Sequence, residues 1–340
     1  MVRLFLLGVT GWVGSCAAYT VAAAHPEYEY TALVRSEAKA ESARKFLPGH
    51  TRFVIGDFDS FDLIASEAAA ADIVLNWASS DHDGLNNAVI AGLKKKGSQC
   101  YLIHTSGTGL LTYEDAKNNR EAQASSKVYD DWEGVSEVVG LPDDAMHMNV
   151  DRVILNTASE NPSIRTAIVA PPLIYGVSAN KNAARERSAA RQMVIDILKH
   201  GKGFFINEGK ARWNTVHMDD LARLYLILVE QAAQGGGKAT WGSESYYFAE
   251  NGDVCFEELA KEISRIAWEK GQLSTDETES LTTSEGNKLF PFTTTMTLQN
   301  SRSKAVRARE LFNWNPVEIG VVEDITKNWR FNAEEENPFF

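Results

Sequence analysis

Over the first hundred residues, short apolar runs alternate with longer amphipathic stretches. RLFLLG (3–8), YEYTALVRS (28–36), RFVIGD (52–57), DIVLNWA (72–78) and CYLIHTSG (100–107) read as strands. Between them lie the helical patterns WVGSCAAYTVAAA, EAKAESARKFL, DLIASEAAA and LNNAVIAGLKKKG. Strands separated by helices of ten or so residues predict right-handed crossovers and a parallel sheet. The runs are continuously apolar rather than alternating, as expected when helices cover both faces of the sheet.

Residues 108–145 break this rhythm. They are polar and rich in Asp, Asn and Ser, and read as one long loop. The pattern resumes with a helix near 147–160, a strand IRTAIVAPPLIYG (164–176) and an amphipathic helix near 182–199. The last third predicts a helix after VHMDD, a strand YYFAE, a helix FEELAKEISRIAWEKG, a polar stretch 272–288 and a helical SRSKAVRARELF stopped by NWNP. The expected organisation is a dinucleotide-type domain over 1–176 and a smaller lobe over 177–340, with some of its elements returning to the main sheet.

Composition narrows the partners. The chain has 340 residues, 34 Lys+Arg against 46 Asp+Glu and a net charge of -12. Lacking a basic block, it is not expected to bind nucleic acid or an anionic membrane. No apolar run reaches the ~18 residues of a membrane span, and the N-terminus lacks the features of a signal peptide. Cys16, Cys100 and Cys255 are odd in number and far apart, which fits neither a disulfide framework nor a metal site. A cytoplasmic location is the expectation.

The chemistry starts at GVTGWVG, residues 8–14. Gly8, Gly11 and Gly14 fall between the first strand and the first helix, where a dinucleotide's pyrophosphate is cradled. Gly8 allows the turn, Gly11 the approach of the phosphates and Gly14 the close packing of helix on strand. Thr10, Trp12 and Val13 complete the loop, and the helix N-terminus offers free N–H groups. The second strand ends Leu33-Val34-Arg35-Ser36, without the acid that bonds an NAD ribose. Arg35 and Ser36 instead suit a 2′-phosphate, so NADP(H) is expected over NAD(H). Asp57, with Phe58 beside it, is placed to meet the adenine or to cap a helix. Trp77 and Ala78 follow the fourth strand and face the same cleft.

These motifs resemble the extended and atypical short-chain dehydrogenases/reductases, the NAD-dependent epimerase/dehydratase branch, including a subgroup common in fungi. IHTSG (103–107) resembles the strand that carries the family's catalytic serine. APPLIYG (170–176) resembles its Pro-x-x-x-Tyr-Gly turn, VHMDDLARL (216–224) its His-Val-x-Asp helix motif, and NSRSKAVRARELFNWNP (300–316) its C-terminal signature. The resemblance implies an α/β, Rossmann-type doubly wound parallel sheet with a smaller C-terminal substrate lobe. It further implies cofactor contacts through Pro171 and Ile174, and a small-molecule substrate. Homodimers are frequent in such folds.

The family mechanism uses a Ser or Thr, a Tyr and a Lys four residues after the Tyr. Ser106 matches the serine. Tyr113-Glu114-Asp115-Ala116-Lys117 has the Tyr-x-x-x-Lys spacing but follows Ser106 too closely. Aligned on the helix before IRTAIVAPPLIYG, His147 takes the tyrosine position and Asp151 the lysine position. Four residues apart on a helix, they share a face. Two readings are open: Asp151 fixes the imidazole, His147 serves as general acid and Ser106 holds the substrate oxygen, or His147 and Asp151 are a surface pair near a helix start. Tyr175 and Tyr113 are reserve donors. Where nucleotide-sugar enzymes carry an arginine four residues before the motif histidine, this chain has Trp213. Ser79, His82, Tyr175 and Trp213 are therefore expected to shape a site for an apolar or aromatic substrate. His104 is expected to be a core histidine and His217 structural. Three classes stay open: a reductase, a non-redox isomerase, lyase or cyclase, and a dinucleotide-sensing regulator.

Overall fold

A computed structural model describes residues 1–335. It opens with nine alternating elements: β1 (Arg3–Leu7), α1 (Trp12–Ala24), β2 (Glu29–Val34), α2 (Glu37–Arg44), β3 (Arg52–Ile55), α3 (Phe61–Ala70), β4 (Ile73–Asn76), α4 (Asp83–Lys96) and β5 (Cys100–Thr105). Each falls where the apolar runs and their breaks put it. Ser36 caps α2, His82 caps α4, and Gly97 ends α4 in the left-handed conformation.

The segment 108–145, expected to be one long loop, is structured. It contains a 3-10 turn (Thr108–Thr112), α5 (Tyr113–Lys117), β6 (Tyr129–Asp130) and α6 (Val135–Val139). Leu110, Leu111, Tyr129, Val135 and Val138 anchor it in the core. Its polar composition hid these anchors because they are spaced too irregularly to show a period.

Next come α7 (Met148–Glu160), β7 (Ile164–Ala170) and β8 (Leu173–Tyr175). The single strand expected at 164–176 is thus two. Pro171 and Pro172 lack the N–H groups a ladder needs, and the chain leaves the main sheet there. α8 (Ala189–His200) begins seven residues later than its sequence pattern, where Ser188 accepts a bond from Arg191 N. β9 (Gly203–Ile206), β10 (Arg212–His217), α9 (Met218–Ala233), β11 (Tyr246–Phe248), β12 (Asp253–Cys255) and α10 (Phe256–Glu269) follow. The polar stretch 272–288 holds β13 (Thr278–Leu281) and most of α11 (Thr283–Leu289). Then come α12 (Pro291–Thr297), β14 (Ser303–Lys304), α13 (Val306–Phe312) and α14 (Val321–Lys327).

The main sheet has seven parallel strands in the order β11-β7-β5-β4-β1-β2-β3. Strand order reverses between β1 and β4, so right-handed crossovers place helices on opposite faces. α1 packs on α9, while α3, α4 and α7 pack in series. The crevice at the carboxyl ends of β1 and β4 is where such a fold binds ligands. The lobe has its own core of Leu173, Tyr175, Met193, Ile197, Phe204, Trp213, Leu259 and Ile263. From beyond the lobe's first elements, α9 packs on α1 and β11 joins the main sheet beside β7.

Candidate active site and dinucleotide cleft

The glycine loop is shaped by backbone contact. Gly8 has φ +86°, and a Cβ there would stand 2.6 Å from the Trp77 carbonyl carbon and 2.7 Å from Ala78 N. Asn76 fixes that neighbouring loop, its Oδ1 accepting from Ala78 N at 3.0 Å. A Cβ on Gly14 would come within 2.1 Å of the Gly8 carbonyl oxygen, so α1 lies directly against the turn. Gly11 precedes the helix, and no side chain caps it. The first-turn amides of α1 are therefore open to an anionic ligand.

The Trp12 indole is buried against Cys16 and Met218, with Val13 and Ile174 alongside. Segment 178–187 covers this cluster. Asn180 Nδ2 donates to Ser15 O, and Ala184 N donates to Ser15 Oγ, both at 3.0 Å. At the other end of the loop, a cleft of about 360 Å³ is lined by Thr10, Ser15, Lys39, Ser42, Lys45 and Lys181. Arg35 is exposed, and Ser36 Oγ caps α2 by accepting from Lys39 N. Asp57 Oδ1 accepts from Ser60 Oγ and Asp59 N, bonds within the turn before α3 rather than a cap on its amides, and they hold its carboxyl below the usual range. Phe58 meets the His82 ring edge-on at 5.6 Å. Trp77 is buried edge-on to Tyr225.

Ser106 stands just beyond β5 and is buried. Its Oγ lies 2.6 Å from Asp151 Oδ2. Tyr246, arriving on β11, donates to the same oxygen at 2.6 Å. Asp151 is fully buried, and burial lifts its carboxyl to about 6 despite these two bonds. On its other side is His104 Nε2, 3.6 Å from Oδ1. Burial keeps His104 neutral, its pKa lowered to about 3, so the two do not form an ion pair.

The expected His147–Asp151 pair is not formed. His147 is the N-cap of α7, with φ +70°, rather than a residue of its first turn. That backbone turns the imidazole away from the helix face that carries Asp151. Its Nδ1 meets Asp81 Oδ1 at 2.6 Å, and the contact lowers the Asp81 carboxyl. Its Nε2 lies over the turn after β5: a Cβ on Gly107 would be 3.2 Å from it, and one on Gly109 3.3 Å. His147 therefore does reach the end of β5, but Asp81 orients it. His104, expected to be a satisfied core residue, has a buried Nε2 without a hydrogen-bond partner.

Three substrate-side expectations change. Tyr175 is buried in the lobe core and donates to the Ile319 carbonyl at 2.7 Å. Trp213 is buried there too, its Nε1 donating to Gln299 O at 2.7 Å. His82 caps α4 through Nδ1, which accepts from Leu85 N. All three side chains are committed to structure. Ser79 Oγ accepts from Asp81 N at 3.3 Å and so shapes the loop that carries Asp81. Tyr113 is partly exposed and directed at Asp144, 3.4 Å away. His217 is structural, capping α9 through Asp219 N.

Asp81, Tyr246, Asn76 and Asn86 were not singled out in the sequence. Asp81 sits in ASSDHD beside the named His82, and its acidity was the available signal. Tyr246 joins through a strand pairing across the sheet, which no local pattern reveals.

A glycine-cradled helix N-terminus at a strand-order reversal, with a serine and a carboxylate-held histidine at the adjoining strand end, defines a dinucleotide-binding enzyme of the extended Rossmann type. The NAD dependent epimerase/dehydratase family profile matches residues 144–241. Oxidase ucsJ of an Acremonium species is 33% identical over 95% of this chain and 95% of its own. The chain belongs to the NAD-dependent epimerase/dehydratase family. The fold is that of solved members. One is a dTDP-glucose 4,6-dehydratase from Bacillus anthracis in complex with NAD (TM-score 0.66, 12% identity, 96% of this chain and 95% of that one). Another is a UDP-glucose 4-epimerase from Thermotoga maritima with UDP-glucose (TM-score 0.63, 11% identity, 95% and 96%).

Proposed function

We propose that this chain is an NADP(H)-dependent oxidoreductase that interconverts an alcohol and a carbonyl on a small metabolite. The observation that carries the reading is the pairing of the glycine cradle with the Asp81–His147 couple at the adjoining end of β5. The bound nicotinamide would give or take the hydride. Gly8–Gly14 and the first turn of α1 would hold the pyrophosphate. NADP(H) is favoured by the missing acid after β2, by Arg35 and Ser36, and by Lys39, Lys45 and Lys181 around the adjoining cleft. These cations offer a 2′-phosphate the charge that an NAD ribose does not need.

Asp81 accepts the Nδ1 proton of His147, which leaves Nε2 to take a proton from an alcohol or return one to a carbonyl. Gly107 and Gly109 leave room for the ring. Ser106 would meet the substrate oxygen. The name of the relative ucsJ, an oxidase, agrees with alcohol oxidation. With Trp213 and Tyr175 committed to the lobe core, no nucleotide-sugar or aromatic preference is assigned.

Tryptophan fluorescence titrated with NADPH and NADH tests the cofactor reading. The expected result is tighter binding of NADPH, and no response to either would end it. A panel of carbonyls and alcohols, followed by nicotinamide absorbance, then tests the chemistry. His147→Ala with unchanged turnover would remove His147 from its role.

A further inference from the structure

The hydrogen atoms around Asp151 can be assigned one after another. Ala78 N–H donates to Asn76 Oδ1, which fixes the orientation of that amide. Asn76 Nδ2 is then the donor to Asn86 Oδ1 at 2.9 Å and to His104 Nδ1 at 3.2 Å. With Nδ1 accepting, neutral His104 carries its proton on Nε2. That proton faces Asp151 Oδ1, 3.6 Å away, and neither atom has a hydrogen-bond partner among the described residues. Oδ1 therefore faces a proton and carries none. Any proton on Asp151 resides on Oδ2, between Ser106 Oγ and Tyr246 OH, each at 2.6 Å.

Two arrangements follow. With Asp151 ionised, Oδ2 accepts from both hydroxyls. The Ser106 proton points inward, and Ser106 Oγ presents only lone pairs to the cleft. With Asp151 protonated, Tyr246 still donates to Oδ2, and the Oδ2 proton is donated to Ser106. The Ser106 hydroxyl is then free to donate outward.

We propose that Asp151 is a positioning residue whose single proton sets the polarity of Ser106, so that the site binds a hydroxyl donor when Asp151 is ionised and a carbonyl acceptor when it is protonated. The substrate clause rests on the oxidoreductase reading; the hydrogen-bond polarity does not. In the family resemblance this position is a lysine, which could not play this part because it has no acceptor.

The charged and titratable groups around Asp151 are few. From β5 comes neutral His104, and from β11 Tyr246, whose hydroxyl burial and Asp151 push well up. On its own helix, His147 at the N-cap and Arg152 are the neighbours. Asp81 lies beyond His147. From α4, Asp83 is bonded to Asn149, and Lys94 pairs with Glu160 at the far end of the helix. From β7, Thr166 is buried and carries no charge. Burial thus opposes the charge on Asp151, and no cation is hydrogen-bonded to it. Both forms are reachable near neutral pH.

The test uses the full chain, with benzyl alcohol and benzaldehyde as probes and NADP(H) present. Dissociation constants are measured by fluorescence at pH 5 and pH 8. The alcohol should bind more tightly as pH rises and the aldehyde as pH falls, their ratio moving by about 10-fold or more. In Asp151→Asn the ratio should move clearly less with pH than in the wild type, what remains belonging to His147. A ratio that does not move in the wild type, or moves equally in Asp151→Asn, overturns the proposal and places any pH effect on His147. Infrared spectroscopy of the chain without probes gives a second readout. The protonated carboxyl band assigned by Asp151→Asn should titrate at higher pH in Ser106→Ala and in Tyr246→Phe, since each removes a donor to the ionised form. An unchanged midpoint in both variants overturns the proposal even if neither probe binds. Failure to bind NADP(H), by contrast, sinks the proposed function and leaves the infrared result to be judged alone.

Discussion

Gly14→Ala adds one methyl group at the most crowded point of the cofactor loop. Its Cβ would lie 2.1 Å from the Gly8 carbonyl oxygen, 2.7 Å from the Gly8 carbonyl carbon and 3.1 Å from Val9 N, whereas ordinary contact begins at 3.4 Å. The obstacle is backbone, so no rotamer change relieves it. The start of α1 must retreat by about 1 Å. Overpacking of this kind costs about 1–3 kcal/mol, while alanine's better helix propensity returns about 1 kcal/mol. The net loss of about 0–2 kcal/mol should lower Tm by at most a few degrees in a chain of this length. Cofactor binding should suffer far more. The same retreat displaces the first-turn amides that would bond the pyrophosphate. Each hydrogen bond to a charged group contributes about 1.5–3 kcal/mol, so losing two weakens NADPH by about 100-fold or more. Thermal denaturation without ligand and a fluorescence titration with NADPH measure the two effects separately. If Gly14→Ala binds NADPH within about threefold of the wild type, the loop does not hold the phosphates as argued.

The other predictions address separate parts of the molecule. Lys39→Glu should weaken NADPH by about 10-fold while leaving NADH nearly unchanged, read from the same titration; equal losses for both would contradict a 2′-phosphate role. Tyr175→Phe should cost about 1 kcal/mol by orphaning the Ile319 carbonyl, with kcat unaffected, as measured by denaturant unfolding and steady-state assays. Burial pushes the Asp151 carboxyl up to about 6, above the ordinary aspartate range. The folded state therefore binds this proton more tightly. The stability Asp151 contributes is full below about 4 and is lost as pH rises through about 6. Urea unfolding across that window should show a falling component that is absent in Asp151→Asn.

The sequence announces those elements whose apolar positions repeat locally. All five β-strands of the first half stand where RLFLLG, YEYTALVRS, RFVIGD, DIVLNWA and CYLIHTSG put them, because a strand covered on both faces must be continuously apolar. Segment 108–145 concealed its structure because its anchors face one large core from short, irregular elements. In the site, Ser106 and His147 were legible through a strand end and a helix start. The partner of His147 was not. Helical spacing pointed to Asp151, whereas the left-handed backbone at position 147 hands the ring to Asp81, 66 residues earlier. Trp213 and Tyr175 looked like cleft residues because their motifs flank the cleft, yet alternation sends both rings inward, as a large buried aromatic prefers.

The chain visits the main sheet twice. β7 is laid down by residue 170, but its outer neighbour β11 is not supplied until residues 246–248. During synthesis, roughly 75 residues must leave the ribosome before that edge is covered, several seconds at ordinary translation rates. In that interval β7 offers an open hydrogen-bonding edge, and Asp151 still lacks its Tyr246 donor. A fragment ending at residue 176 would keep this exposed edge permanently and should self-associate rather than fold as a free-standing cofactor module. The amino-terminal half is thus not a structurally complete unit; the outer strand of its sheet comes from sequence that follows it.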